Sequence, residues 1–380
     1  MDASIPLSGI LIAAMRLTRL VLSDLHLSTG QEPGKPNPFE DFFYDDRFAE
    51  LLDHHRGGSS AGTELVLNGD ILDLLKVKIG GRWPREITDE IAAERVRLCL
   101  EGHPIFCAAI QRFLGNPLNR LTYLPGNHDI EMWLPGAQET FIRYVAPEGG
   151  EGRIRFITAS DTYYLPEGIQ IRHGHQFERV HRVDYRNMVT TRKDGTTVLN
   201  LPWGALWITD VMNPLKQSRQ YIDRVQPLGR FLVASAIFDP KLFLLFSWWS
   251  TKHFLRHRIF AFRSFWRGLL AIPSRLREEV FEVTHGFDER CKRVLSRTHG
   301  VHTLIVGHSH GPRFVRLPNG KILVNTGTWM KMINLDLHHL GQDSGLTYAL
   351  IEYDEDGAPS TRLMRWLGTR HLAEPVPYLD

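Results

Sequence analysis

The chain has 380 residues, 45 Lys and Arg against 43 Asp and Glu, and a hydrophobic fraction of 43%. A net charge of +2 excludes a surface that coats nucleic acid as a whole, and the apolar fraction excludes a wholly disordered or fibrous chain. Three cysteines without a CxxC spacing exclude a disulfide framework and a thiolate zinc site, and point to a reducing compartment.

Residues 1–14 are expected to be an N-terminal extension. Their apolar stretch begins at Ile10, but Asp2 stands where a signal peptide carries basic residues, and Met15 opens MRLTRLVLSDLH as a natural start would. No uncharged apolar run approaches the roughly 18 residues of a spanning helix, so a soluble or surface-bound protein is expected. Buried-strand composition recurs at Leu17–Ser23, Glu64–Asn68 and Leu121–Leu124, and each run ends next to a polar motif. Between them Phe39–His55 and Thr88–Leu114 carry helical spacing, which predicts βαβ units in a layered α/β core. Further strands are expected at Ile154–Ile157, Tyr163–Leu165, Ile169–Arg172, Thr303–Val306, Arg313–Leu317, Lys321–Val324 and Thr347–Glu352, with a hairpin turn at Pro318, Asn319 and Gly320. From about Phe177 to Arg290 this rhythm stops, and a mainly helical insertion is expected.

Five motifs stand at strand ends: Ser23 to His26, Gly69 to Asp73, Gly126 to Asp129, His173 to His175, and Gly307 to His310. They contain six of the eighteen histidines. Carboxylate, imidazole and amide oxygens suit a hard or borderline divalent ion. In the DxH and HxH pairs, residues two apart on an extended segment place both side chains on one side. Glycines before Asp70, Asn127 and His308 allow sharp turns. Taken singly, each motif is also explained as a polar strand end or a turn with a helix cap.

In this order the motifs DxH, GDxxD, GNHD, a later histidine and GHxH resemble the calcineurin-like metallophosphoesterase superfamily, and the likeness runs from Asp24 to His310 and on into Asn325, Thr326 and Gly327. The resemblance implies a four-layer α/β/β/α sandwich, with its core in residues 15–176 and 291–355, an insertion or cap at 177–290 and a C-terminal tail at 356–380. It implies two divalent ions, manganese first, with iron or zinc as alternatives. One would be held by Asp24, His26, Asp70 and His310, the other by Asp70, Asn127, His173 and His308, and a metal-bridging hydroxide would attack phosphorus. His175 would be a further contact to metal or substrate, with His173 the ligand of HGH because it ends the strand Ile169–Arg172. His128 would face the substrate, oriented by Asp73, although Asp73 reads equally well as a carboxylate in the first turn of a helix.

Within Pro214–Arg277 twelve Lys and Arg face two Asp, a net of +10, which leaves about −8 for the remainder. Eleven aromatic residues, among them Trp248, Trp249 and Trp266, lie in Phe231–Leu270. That composition fits an interfacial helix on an anionic membrane, or a cap with its own aromatic core. Here the chain more loosely resembles bacterial UDP-2,3-diacylglucosamine hydrolases, which also begin SDLHL and carry a helical insertion. It departs from them with GNHD for GNRD, HGH for HGD and a longer chain. The resemblance implies a lipid-linked pyrophosphate as substrate and a cytoplasmic protein, peripheral on the inner face of the membrane. Alternatives are a nucleotide or nucleic-acid phosphodiesterase, a protein phosphatase, or a non-catalytic metal-binding scaffold. Arg179, Arg182 and Arg186, with Arg192, are expected to contact substrate phosphate or to form an exposed basic face.

Overall fold

The structure is a computed structural model that describes residues 17–369 and 373–375, apart from positions 33, 59, 227, 260–285, 336–340 and 344. The expected N-terminal extension, Trp266 and the cations at 263, 267, 275 and 277 lie outside the described residues.

In chain order the strands are β1 (Thr18–Leu22), β2 (Thr63–Asn68), β3 (Arg120–Leu124), β4 (Ile154–Phe156), β5 (Tyr163–Leu165), β6 (Ile169–Ile171), β7 (Val189–Thr191), β8 (Thr197–Leu199), β9 (Val225–Gln226), β10 (Thr303–Val306), β11 (Arg313–Arg316), β12 (Ile322–Asn325), β13 (Met332–Asn334), β14 (Gly341–Asp343), β15 (Thr347–Tyr353), β16 (Pro359–Trp366) and β17 (Ala373–Pro375). The helices are α1 (Asp45–His55), α2 (Asp89–Gly102), α3 (Pro104–Leu114), α4 (Pro135–Val145), α5 (Trp203–Trp207), α6 (Asn213–Lys216), α7 (Leu228–Phe238), α8 (Pro240–Phe254) and α9 (Phe287–Arg297), with π-helical turns at Ile208–Met212 and Leu255–Ile259.

Among the described residues one sheet has the order β17-β16-β15-β1-β2-β3-β4, with β1 to β4 parallel and linked through α1, the α2–α3 pair and α4. A second runs β11-β12-β10-β6-β5, with β6, β10 and β12 parallel. Side-chain alternation sorts the core into layers. Leu20, Leu22, Leu65, Leu67, Leu121 and Tyr123 face α1 to α4, packing on Phe48, Val96, Phe106 and Phe141. Their neighbours Val21, Val66 and Leu124 point the other way, onto Ile169, Ile171, Ile305 and Val324 of the second sheet. On that sheet's far face Leu304, Val306 and Leu323 meet Cys291 and Leu295 of α9. The result is the α/β/β/α sandwich, and each fully buried Leu, Val or Phe contributes about 1.5–3 kcal/mol.

Three expectations change in detail. The helix expected over Phe39–His55 begins only at Asp45, because the Glu40 carboxylate accepts from Ser28, Gly30 and Phe42 backbone N–H groups and holds a loop there. The helix over Thr88–Leu114 divides at Pro104, which has no N–H to continue the α2 ladder but suits the first turn of α3. Residues 356–380, expected to trail the core, supply β16 and β17 to the first sheet; Leu363, Met364 and Trp366 are buried, but Ser360, Thr361 and Arg362 before them and Arg365 among them mask the strand pattern. Between β6 and α9 the described residues are mainly helical, with the β7–β8 hairpin and the short β9, which pairs with β13, added. Leu75, Ala205, Ile208, Val211, Leu215, Ile222 and Leu242 form a separate core there.

Candidate metal centre

The carboxyl ends of β1, β2, β3, β6 and β10 meet where the two sheets adjoin, and hydrogen bonds to backbone carbonyls join their loops. Asp24 N donates to Gly69 O, Gly307 N donates to His173 O, and Asn68 Nδ2 donates to Arg172 O, at 2.7–3.1 Å. This edge gathers three contiguous groups whose ligand atoms lie within 4.8 Å of one another: Asp24, His26 and His310; His26, Asp70 and His128; Asp70, His173 and His308. His310 Nε2 is 3.3 Å from Asp24 Oδ1 and 3.2 Å from His26 Nε2, and His173 Nε2 is 3.1 Å from Asp70 Oδ2. Asp70 thus stands between two clusters.

The DxH and HxH pairs converge by a route other than extended alternation. Strand β1 stops at Leu22, and Asp24, His26, Asp70, His308 and His310 all have left-handed backbone, φ 53–67°. Among the described non-glycine residues only Leu346 shares that conformation. Each such residue costs about 1–3 kcal/mol, a strain characteristic of functional sites. The glycines also divide in role. Gly69 has φ 80° and makes a turn at which a Cβ would also overlap the His173 ring, whereas Gly126 has no left-handed backbone and is required for close approach alone, since a Cβ there would overlap Asp70 Oδ1.

The polar atoms left over suit divalent ions. Asn127 Oδ1 and His310 Nδ1 are buried without a hydrogen-bond partner. His173 Nδ1 lies 2.8 Å from Asn68 O, which fixes the tautomer that turns Nε2 toward Asp70. Burial alone would raise the carboxyl pKa values, but the facing histidines hold Asp24 and Asp70 well below the usual range. Burial likewise opposes charge on His26 and His173, but hydrogen bonds and charges from Asp24, Asp70 and Asp73 push them up to about 10 and about 9. The pocket favours positive charge among its carboxylates. Residues and charge balance fit a dinuclear centre of Asp24, His26, Asp70 and His310 with Asp70, Asn127, His173 and His308.

His128 has its side chain 17% exposed, and its Nδ1 is 2.9 Å from Asp73 Oδ1. Asp73 is a loop residue rather than a member of a helix's first turn, and Lys76 Nζ is 2.7 Å from its other oxygen. His175 is fully buried outside the three groups; both its ring nitrogens lack partners, and burial holds its pKa well below the ordinary value. Arg179, Arg182 and Arg186 are exposed, and Arg182 Nε donates to Gln176 O. Arg192 pairs with Glu86.

The sequence reading misses Glu178 and Lys76. Glu178 Oε2 is 3.1 Å from His308 Nε2. Burial opposes its charge, but His308, His181 and Arg290 bring its pKa down to about 2. Its place just after HGHQF is the only sequence signal. Asp129 of GNHD ties loops together, accepting from Gly126 N, Ile71 N and the Tyr123 hydroxyl.

The calcineurin-like phosphoesterase family matches residues 17–312. No curated protein matches the sequence. Solved structures that match along most of this chain include a dimetal phosphatase from Danio rerio, at 11% identity and TM-score 0.38 over 96% of this chain and 99% of that one. A zinc complex of Vps29 from Entamoeba histolytica has 11% identity and TM-score 0.31 over 95% and 98%, and a 5'-nucleotidase precursor from Thermus thermophilus has 13% and 0.32 over 91% and 54%.

Proposed function

We propose, from the premise that this chain belongs to the calcineurin-like phosphoesterase family and is a metal-dependent phosphoester hydrolase, that it cleaves the phosphoester or pyrophosphate bond of a lipid-linked nucleotide at an anionic membrane surface. UDP-2,3-diacylglucosamine is the model of such a substrate. The observation that carries the lipid reading is the outer face of α7 and α8. Val233 and Ile237 on α7, with Phe238 at its end, are 69–85% exposed, and Leu244 and Trp248 on α8 are 65% and 68% exposed. They follow helical spacing, with Leu245, Leu255, Lys241, Lys252 and Arg256 also outward. The inner face of α8 is apolar too, through Leu242, Phe246 and Trp249. A helix apolar on both faces, with one face open and flanked by cations, suits a headgroup–acyl boundary. The nearby carboxylates are committed: Asp239 to Arg219 at 2.8 Å, and Asp223 to Lys76 and Lys216. Among the described residues no helix is long and apolar enough to cross a membrane.

In this reading Asp24, His26, Asp70 and His310 hold one divalent ion, and Asp70, Asn127, His173 and His308 hold another, manganese by preference. Such a pair, when bound, supplies a water-derived nucleophile near neutral pH and neutralises the phosphoryl oxygens. His128, oriented through Nδ1 by Asp73, directs Nε2 to the substrate and serves as donor to the phosphate or acid for the leaving oxygen.

The test presents the purified, manganese-loaded full chain with a UDP-linked diacylated sugar, cyclic nucleotides, single-stranded DNA and a phosphopeptide, alongside co-sedimentation with anionic vesicles. Turnover of the lipid pyrophosphate, and vesicle binding lost in Leu244→Glu/Trp248→Glu, are expected. Turnover of nucleic acid or phosphopeptide without lipid pyrophosphate overturns the substrate. Failure to bind vesicles at low salt overturns the membrane surface.

A further inference from the structure

A second gathering of metal-binding side chains stands outside the dinuclear centre, among the helices between β8 and α9. Asp210 lies on the π-helical turn Ile208–Met212, His253 near the end of α8, and His257 on the π-helical turn Leu255–Ile259. The ligand atoms of the three lie within 4.8 Å of one another. Asp210 Oδ2 is 3.0 Å from His253 Nδ1 and 3.5 Å from His257 Nε2, and the imidazole centroids are 4.4 Å apart. The two Asp210 separations bracket the edge of about 3.3 Å expected of a tetrahedron whose centre-to-ligand bond is about 2.0–2.1 Å.

Two features set this group apart from an ordinary ion pair. Arg85 Nη2 already donates to Asp210 Oδ1 at 2.5 Å, so the carboxylate has a cationic partner and still turns Oδ2 toward both rings. Meanwhile His257 Nε2, the ring atom nearest Asp210 Oδ2, is buried with no hydrogen-bond partner. One protonated histidine would satisfy the carboxylate; a second imidazole in contact with the first adds only an unmet polar atom, unless something positive sits between them. The two π-helical turns sharpen the point, since such turns recur where a helix must re-aim side chains at a functional site. The exposures define an open side. His253 is 1% exposed at its side chain, whereas Asp210 and His257 are 15% and 22% exposed, which leaves a path for an ion and a water ligand.

We propose that Asp210, His253 and His257 form an additional metal site, built for a borderline divalent ion such as zinc with water completing its coordination. Two imidazoles and one carboxylate select zinc, cobalt or nickel over magnesium or calcium. The site links the Ile208–Met212 turn to the end of α8, and through Arg85 to the loop after β2, so bound metal fastens the helical segment to the sandwich. It stands independently of the substrate reading.

The test compares wild type with His257→Gln and with the near-isosteric Asp210→Asn, each as the full chain. Every protein is stripped with a chelator, loaded with excess zinc or cobalt, desalted, and analysed for metal per chain and for tetrahedral cobalt absorption. The expected result is one equivalent fewer in both variants, loss of part of the cobalt band, and a smaller rise of Tm on zinc addition than in wild type. Equal metal content and an unchanged cobalt spectrum in whichever variant folds overturn the site.

Discussion

Asp73 Oδ1 lies 2.9 Å from His128 Nδ1, and the other oxygen of the same carboxylate lies 3.0 Å from His26 Nδ1. Burial would raise the Asp73 pKa, but His128 and Lys76 hold it well below the usual range, so the carboxylate stays ionised and accepts from both rings. The two histidines must then donate through Nδ1 and present Nε2 elsewhere. One carboxylate thereby orients both imidazoles, the one proposed to hold metal and the one proposed to face substrate.

His128→Ala is therefore expected to retain both ions and to lose turnover by about 10²–10⁴-fold. Asp73→Asn is expected to lose turnover and metal together, because His26 loses its fixed tautomer. Metal content measured beside kcat separates the two, and equal metal loss in both variants overturns the assignment of His128.

Lys76 links this pair to the helical segment. Its Nζ is 2.5 Å from Asp41, 2.7 Å from Asp73 and 2.9 Å from Asp223, and Lys216 Nζ contacts Asp41 and Asp223 from the other side. Burial disfavours the Lys76 ammonium, but the three carboxylates hold its pKa well above the ordinary value. Removing one partner from such a network costs about 3–5 kcal/mol, since the charges that remain are buried. Lys76→Met should lower Tm and also kcat, with little change in KM; Lys216→Met should lower Tm with a smaller change in kcat. Equal effects on kcat overturn the link through Asp73.

How much of this is legible in the sequence follows from distance along the chain. The strand runs that end at Asp24, Asp70 and Asn127 are local, and so are the DxH and HxH spacings. The pairing of His308 with Glu178 spans 130 residues and that of Lys216 with Asp41 spans 175, so nothing in the neighbouring sequence marks them. The left-handed backbone of Asp24 and His26 is also invisible, because neither residue type requires it. In α8 apolar residues occupy both faces, and periodicity cannot say that Leu242 is buried while Leu244 is exposed.

Gly126 tests close approach at the centre. A methyl group there would overlap Asp70 Oδ1 and stand 2.5 Å from Asp70 N, whereas at Gly152 it would meet nothing within 4 Å. Gly126→Ala should lose bound metal and turnover together, and Gly152→Ala should match wild type in both. Full metal occupancy in Gly126→Ala would show that the loop yields without disturbing Asp70.

His103 gives a pH dependence of stability away from the metal centre. It is buried, with Nε2 3.1 Å from Glu40 Oε2 and Nδ1 3.1 Å from Asp45 Oδ1. Burial disfavours its charge, but hydrogen bonds to Asp45 and Glu40, and their charges, push its pKa up to about 9 from an ordinary 6.5. A raised folded-state pKa means the folded chain binds the proton more tightly than the unfolded chain. The stabilisation is fully present below about pH 6.5 and fades as pH rises through about 9, a difference of roughly 2–4 kcal/mol. His103→Gln should be less stable than wild type near pH 6, and the gap should narrow at about pH 9.5 in urea unfolding of the metal-free proteins. The site histidines are common to both proteins, so the narrowing isolates His103; a gap that stays constant across the range removes the ion pairs with Glu40 and Asp45 as its cause.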